Sequence, residues 1–334
     1  MIDYKQIFDS ELPIIDVRSP AEFYQGHVPG AINMPLFSNE ERHQVGLCFK
    51  KRGQNDAVKL GLEFVGPKLT SFVEQAEQIA PRRALHIYCW RGGMRSNSVA
   101  TLLNAAGFKA NVLEKGYKSW RKEVLNQMSI QRNWYMLGGY TGSGKTDILR
   151  ALRAEGEHMI DLEGLAKHRG SAFGKVDGEQ PPTEHFENLL AFDLIAMDSE
   201  TPIWVENESN NIGSVYLHKV FRESLTKAKF IVIERSFENR VNYLVQEYGA
   251  CSKEVIKAAF ERIAKRLDGV VFKEAIQNIA DNKIREVAAT ALVYYDKTYT
   301  HSMSRNPYEI ALKQAHENDA DSTAKKLIEW KNKL

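Results

Sequence analysis

One octapeptide limits what this chain can fold into more than any other stretch. Gly139-Tyr140-Thr141-Gly142-Ser143-Gly144-Lys145-Thr146 fits the G-x-x-x-x-G-K-T pattern. It follows an apolar run, Trp134 to Leu137, that reads as a strand, and it opens a helical stretch through Leu152. A loop held between a strand and a helix N-terminus turns its backbone amides inward and cradles phosphates. Lys145 then reaches between phosphate groups, and Thr146 holds Mg²⁺. Such a loop needs a parallel α/β sheet around it. The sequence supplies one, with strands predicted at His158 to Ile160, Ile203 to Val205 and Phe230 to Ile233, ending at Asp161, Glu206 and Glu234. Asp161 and Glu206, each at a strand end, are alternative Mg²⁺ ligands or structural caps.

A second loop has the same local design. Leu85 to Tyr88 reads as a strand, and Val99, Leu102, Leu103 and Ala106 recur at helical spacing until Gly107 stops the helix. Between them lies Cys89-Trp90-Arg91-Gly92-Gly93-Met94-Arg95-Ser96. Gly92 and Gly93 permit a tight curl. The converging amides, with Arg91 and Arg95, favour an anion or a Cys89 thiolate. Taken alone, a Cys-x5-Arg loop fits phosphate-ester hydrolysis or sulfur transfer. Upstream, Leu12, Ile14, Ile15 and Val17 form an apolar run, and Ser19-Pro20 reads as a helix start. Between Phe37 and Gly66 the pattern weakens, with Gly46, Gly53 and Gly61, and reads as an extended connection or insertion with some helix.

A length of 334 residues suits two domains, and 43% hydrophobic with 26% charged residues is a globular composition. We expect residues 1–127 and 128–240 to form two α/β domains. Residues 241–334 should form a helical region on or beside the second, with no strand after Glu234 and a last helix near Ala324 to Trp330. No apolar run reaches the ~18 residues of a membrane span, and the N-terminus lacks a basic region followed by an apolar one. A cytoplasmic protein without a membrane partner is therefore expected. Cys48, Cys89 and Cys251 lie too far apart for a CxxC pair, so neither structural zinc nor a disulfide framework is expected. The net charge of +2 leaves a polyanion partner to local clusters. Lys118, Arg121 and Lys122 form one, and Lys257, Arg262, Lys265 and Arg266 another.

Two more stretches are candidate ligand or substrate loops. Asp161 to Gly174 offers His168, Arg169, Ser171 and Phe173, and Trp204 to Ser209 offers Trp204, Glu206 and Glu208. Each also reads as a solvated loop.

The segment Ile15-Asp16-Val17-Arg18-Ser19-Pro20-Ala21-Glu22-Phe23, followed by Gly26-His27-Val28-Pro29-Gly30-Ala31-Ile32-Asn33, resembles the N-terminal motif of rhodanese-fold domains. Adding Tyr-Cys-Trp-Arg-Gly-Gly-Met-Arg-Ser, the Lys145 loop, Asp-Leu-Glu-Gly-Leu-Ala-x-His-Arg-Gly-Ser-x-Phe-Gly and Trp-Val-Glu-x-Glu-Ser in that order, nearly the whole chain resembles the tRNA 2-selenouridine synthase family.

That resemblance implies a rhodanese-like parallel-sheet domain followed by a P-loop α/β domain with a helical C-terminal extension. Its implied substrate is the wobble 2-thiouridine, U34, of the tRNAs for lysine, glutamate and glutamine. Its implied product is 2-selenouridine, with selenophosphate as donor and S-geranyl-2-thiouridine, made from geranyl diphosphate, as intermediate. Cys89 then handles selenium, and the Lys145 loop grips diphosphate. A selenophosphate-supplying enzyme becomes a candidate partner. Trp90, Phe173 and Trp204 become candidate platforms for the unstacked anticodon-loop base, and the basic clusters candidate phosphate contacts. Two other readings satisfy the separate motifs: a sulfurtransferase fused to an ATP-dependent kinase, and a nucleotide-gated scaffold with a silent rhodanese fold.

Overall fold

A computed structural model of the chain describes residues 10–168, 179–249, 251–305, 308–316 and 319–334. Arg169, Ser171 and Phe173 lie outside them. The chain divides into two compact units, residues 1–127 with 181–192, and residues 128–180 with 193–334.

The first unit is built on β1 (Ile14–Asp16), α1 (Pro20–Gln25), β2 (Ile32–Asn33), α2 (Asn39–Arg52), α3 (Gln54–Val65), α4 (Leu69–Ile79), β3 (Ala84–Tyr88), α5 (Met94–Ala105), β4 (Lys109–Val112) and α6 (Tyr117–Ser129). Its four strands pair in the order β2-β1-β3-β4, all parallel. Ile15, Leu85, Ile87 and Leu103 are fully buried in its core. α1 starts as its sequence dictates, with Pro20 in the first turn and Ser19 and Glu22 closing a capping box.

The stretch from Phe37 to Gly66, read as an extended connection or insertion with some helix, is almost wholly helical, as α2 and α3. α2 buries none of its residues, so burial imposed no apolar stripe on it for the eye to find. Its caps carry the signal instead: Ser38 and Glu41 form a capping box, and Lys50, Lys51 and Arg52 end the helix.

The second unit takes β5 (Trp134–Gly138), α7 (Lys145–Ala154), β6 (His158–Ile160) and α8 (Leu162–Ala166). After α9 (Thr183–Ile195), whose residues to 192 belong to the first unit, it continues through β7 (Ile203–Glu206). A small antiparallel pair follows, β8 (Asn211–Ile212) and β9 (Val215–Tyr216), then α10 (Lys219–Ser224) and β10 (Lys229–Glu234). Helices α11 (Phe237–Gly249), α12 (Lys253–Ile263), α13 (Gly269–Ala280) and α14 (Ile284–Arg305) precede β11 (Ile310–Ala315) and α15 (Ala320–Lys331). The sheet order is β11-β10-β5-β7-β6, all parallel.

β11 corrects the expectation of an all-helical tail: the chain returns to the sheet after α14 and extends it beyond β10. No residue of β11 is buried, so the strand carries no continuous apolar run. Behind it, Ala324 and Leu327 of α15 are fully buried against Ile148 and Leu149 of α7. This last helix therefore belongs to the second unit's core.

Candidate functional site

In an open parallel sheet, ligands gather at the C-terminal ends of strands where the strand order reverses. β3 and β5 both end at such positions, and each leads into one of the two loops read from the sequence.

After β3 the backbone turns at once into Cys89, whose side chain is 3% exposed, so the sulfur is shielded. Ser96 Oγ lies 3.2 Å from Cys89 Sγ and donates to Gly93 O at 3.2 Å. The curl depends on two glycines with positive φ, Gly92 at 63° and Gly116 at 59°. A Cβ on Gly116 would sit 2.2 Å from the Cys89 carbonyl, and one on Gly92 would sit 2.5 Å from the Leu113 carbonyl. The two backbones therefore meet with no room for side chains.

Burial by itself raises the Cys89 thiol pKa. The Ser96 hydroxyl and amide, the Arg91 amide and the Arg95 charge outweigh it, and hold the thiol below its ordinary range. Arg91 thus acts through its backbone N–H while its side chain is exposed, a change from the sequence reading of a charge at the sulfur. Arg95 Nη1 donates to Glu22 Oε2 at 2.7 Å, so its charge is shared with α1. Trp90 is 39% exposed, and its ring leans on Tyr117. The N-terminal motif turns out to be scaffolding: Arg18, fully buried, donates to both Asp16 oxygens and to the Gly26 carbonyl, and stacks 3.8 Å over Tyr117.

The loop after β5 has positive φ at Gly139, Gly142 and Gly144. Lys145 Nζ donates to Gly139 O at 3.0 Å, arching back over the loop as a phosphate-gripping lysine does. Around the loop stand groups that the sequence did not single out. Tyr299 Oη accepts from the Gly139 amide at 2.8 Å, and Arg235 Nη1 donates to Gly142 O at 2.9 Å. Arg240, held by both Asp296 oxygens, donates to Thr141 O at 3.3 Å. His316 fills the space beside Gly144, where a Cβ would meet its Nε2 at 2.8 Å. Arg235 follows directly on β10, so the strand-end rule could have found it. Tyr299 and His316 come from α14 and the end of β11, and no local pattern marks them.

On the other side of this loop is an acidic group. Thr146 Oγ1 donates to Glu163 Oε2 at 3.1 Å, and the Glu163 amide donates to Glu206 Oε1 at 2.8 Å. Glu206 Oε2 is buried without a hydrogen-bond partner among the described residues. Its burial, with Glu163, Glu208 and Asp161 nearby, pushes its carboxyl well above the usual range. Burial and Glu163 push the Glu208 carboxyl up to about 7 against the pull of Lys145. Asp161 is a helix cap, its Oδ1 accepting from the Gly164 amide at 2.6 Å. Ser143 Oγ is also buried without a partner among the described residues.

His168 sits beside Gly213 of the β8–β9 turn, and burial and Arg262 hold its imidazole below the usual range. Trp204 is not available to a substrate. It is fully buried in β7, packs on Tyr135 and donates from Nε1 to Glu157. Arg121 also departs from the phosphate-contact reading, because Glu187 and Asn188 engage its guanidinium. Lys118 and Lys122 remain exposed, as do Lys257, Arg262, Lys265 and Arg266.

Comparison with known proteins agrees with this arrangement. Residues 3–123 match the rhodanese-like domain, and residues 132–329 match the tRNA 2-selenouridine synthase AAA domain. A tRNA 2-selenouridine synthase of a Sulfurovum species is 35% identical over 343 residues, spanning 92% of this chain and 93% of that protein. Those of Cupriavidus necator and Cupriavidus pinatubonensis are 39% and 38% identical, spanning 74% and 79% of this chain and 68% and 75% of theirs.

Proposed function

Because this chain belongs to the tRNA 2-selenouridine synthase family, and is an enzyme of that type, we propose that it replaces the sulfur of the wobble 2-thiouridine in two stages. The tRNAs are those for lysine, glutamate and glutamine, in the cytoplasm, and selenophosphate is the selenium donor. First, the thio sulfur attacks the allylic carbon of geranyl diphosphate. The S–C bond forms, the C–O bond breaks, and diphosphate leaves with the electron pair. The amides of Gly139, Thr141, Gly142, Ser143 and Gly144, with Lys145, stabilise the departing charge. The selenium of selenophosphate then bonds to C2 of the pyrimidine as the C2–S bond breaks, geranylthiol leaves with a proton, and water cleaves the P–Se bond to release inorganic phosphate. A thioether carried on the pyrimidine leaves as a thiol far more readily than a thiocarbonyl sulfur departs, which is the reason for alkylating first.

The observation that carries this reading is the Cys89 cradle: a shielded thiol with Ser96 Oγ 3.2 Å away and a pKa held low, as selenium handling requires. The Glu206 Oε2 atom without a partner fits a cation beside Thr146. Among the described residues no three or more His, Cys, Asp or Glu are grouped to hold a metal alone. Mg²⁺ would therefore be held by Thr146 and Glu206 only together with the diphosphate, to which it supplies positive charge. An exposed Trp90 and the basic residues of α6 and α12 support anticodon-loop binding.

The test uses two variants and two tRNAs. Cys89→Ser should keep geranylation and lose 2-selenouridine. Lys145→Ala should lose geranylation, yet recover selenation at least partly on tRNA already geranylated. Quantifying the wobble nucleosides by mass decides it. If Cys89→Ser loses both reactions, or Lys145→Ala is not rescued while folded and tRNA-bound, the division between the loops is wrong.

A further inference from the structure

The first unit contains a cavity of about 660 Å³ that the two-stage reading has not used. It lies between the α2–α3 hairpin and the N-terminal turn of α5, and its walls include Phe37, Val45, Phe49, Val58, Leu62 and Met94. Such walls are unusual beside a nucleophile that handles an inorganic sulfur or selenium species, since a small hydrophilic anion gains nothing from hydrocarbon.

Its position ties the cavity to Cys89. Met94 and Arg95 line it, and the next residue, Ser96, places its hydroxyl 3.2 Å from the sulfur. The cavity's polar edge is cationic: Arg42, Lys50 and Arg95 line it, and no acid does. Glu22 pairs with Arg95 at 2.7 Å and approaches Arg42 at 3.7 Å, which orders two of these cations.

Two glycines also favour an occupant. Gly46 of α2 and Gly61 of α3 both line the cavity, although glycine inside a helix costs about 1 kcal/mol relative to alanine. A Cβ on Gly46 would meet Arg42 Nη1 at 2.9 Å, and one on Gly61 would meet Phe37 Cζ at 3.2 Å. Larger side chains at either place would narrow the space.

We propose that this cavity binds the branched hydrocarbon of the S-alkylated wobble nucleoside, with the RNA phosphates at its cationic edge and the thioether directed to the Cys89 loop. The proposal rests on the functional reading above. An apolar chain attached to a polyanion calls for this combination of hydrocarbon wall and positive edge. The volume lies within the roughly 300–1,000 Å³ of small-molecule pockets.

The experiment compares the full-length enzyme with Val58→Trp, which fills the cavity, and Leu62→Lys, which makes its wall polar. Leu62 is 65% exposed and Val58 38%, so neither change should unfold the chain, and thermal melts check this. Anticodon stem-loops carrying S-geranyl- or S-methyl-2-thiouridine are given selenophosphate, and single-turnover rates and Kd values are measured. The wild-type enzyme should favour the geranyl substrate at least about tenfold, as burial of several methylene groups provides. In both folded variants the geranyl-to-methyl ratio should fall to near unity. An unchanged ratio, including one in which both rates drop together because the cavity seats a partner or the tRNA body, overturns the proposal. If the wild-type enzyme converts neither RNA, the two-stage reading itself fails, a result distinct from an unchanged ratio, and the proposal falls with it.

Discussion

The Cys89 thiol and the Glu206 carboxyl are both buried, and their surroundings push them in opposite directions. For Cys89, hydrogen bonds to the sulfur outweigh burial, so the thiolate persists to lower pH than in a free cysteine. The rate of iodoacetamide alkylation should follow that ionisation. Ser96→Ala should move the profile to higher pH and slow alkylation near neutrality about tenfold, the equivalent of one pK unit. The two proteins should converge above both pKa values. A profile unmoved by the substitution would remove Ser96 from the account. Glu206 accepts one hydrogen bond, from the Glu163 amide, and this does not offset burial and the neighbouring acids, so its carboxyl is pushed well above the usual range. An acid whose pKa is raised on folding contributes stability below its unfolded value of about 4.5, and that contribution is lost as pH rises toward the folded value. Glu206→Gln should therefore raise the Tm of the second unit by about 2–4 °C at alkaline pH and by nothing near pH 4. Equal gains at both pH values would mean that ionisation is not the cause. Geranyl transfer from the diphosphate should slow in the same variant if Glu206 is the cation's carboxylate.

Elements were legible in the sequence where their chemistry is local. The strand, glycine turn and helix around Lys145 and around Cys89 follow from residues within one short window, because the backbone curl needs glycine at fixed offsets. Gly116, Tyr299 and His316 were not singled out, since what makes each matter is a contact supplied by a different element. β11 shows the same limit at the next scale. It is an exposed edge strand whose partner, β10, ends at Glu234, so its pairing left no apolar signature. Yet it and α15 complete the second unit, with Ala324 and Leu327 in the core. A chain ending at Arg305 should therefore lose the cooperative unfolding transition of the second unit or accumulate as insoluble protein. A tail merely laid on the surface would be dispensable. A soluble truncated chain with an unchanged melt would contradict the placement of α15.

At the scale of the whole molecule, the chain order of the first unit is interrupted. Residues 181–192 leave the second unit's sequence and join the first. There, Asn188, fully buried, donates to the His27 carbonyl at 2.9 Å and to Tyr117 Oη at 2.8 Å. Tyr117 in turn donates to Glu184 at 2.7 Å, and Arg121 donates to Glu187 and to Asn188. This helix thus supports the Gly26-His27 turn from behind and braces the start of α6, directly after Gly116 of the cysteine loop. A fragment of residues 1–127 would retain Tyr117 and Arg121 but lose their acceptors, along with the Asn188 donor to His27. Buried polar groups without partners cost about 1–3 kcal/mol each. The fragment should therefore melt at least about 5 °C below one in which residues 181–192 are joined to it through a flexible linker. Substituting Arg121 by Ala in the linked fragment should reproduce only part of that loss, because Tyr117 and Asn188 remain paired. The fragment's Cys89 should also react less selectively with iodoacetamide, since Tyr117 N holds the Cys89 carbonyl at 2.9 Å. Identical melting of the two fragments would show that the first unit is complete without the inserted helix.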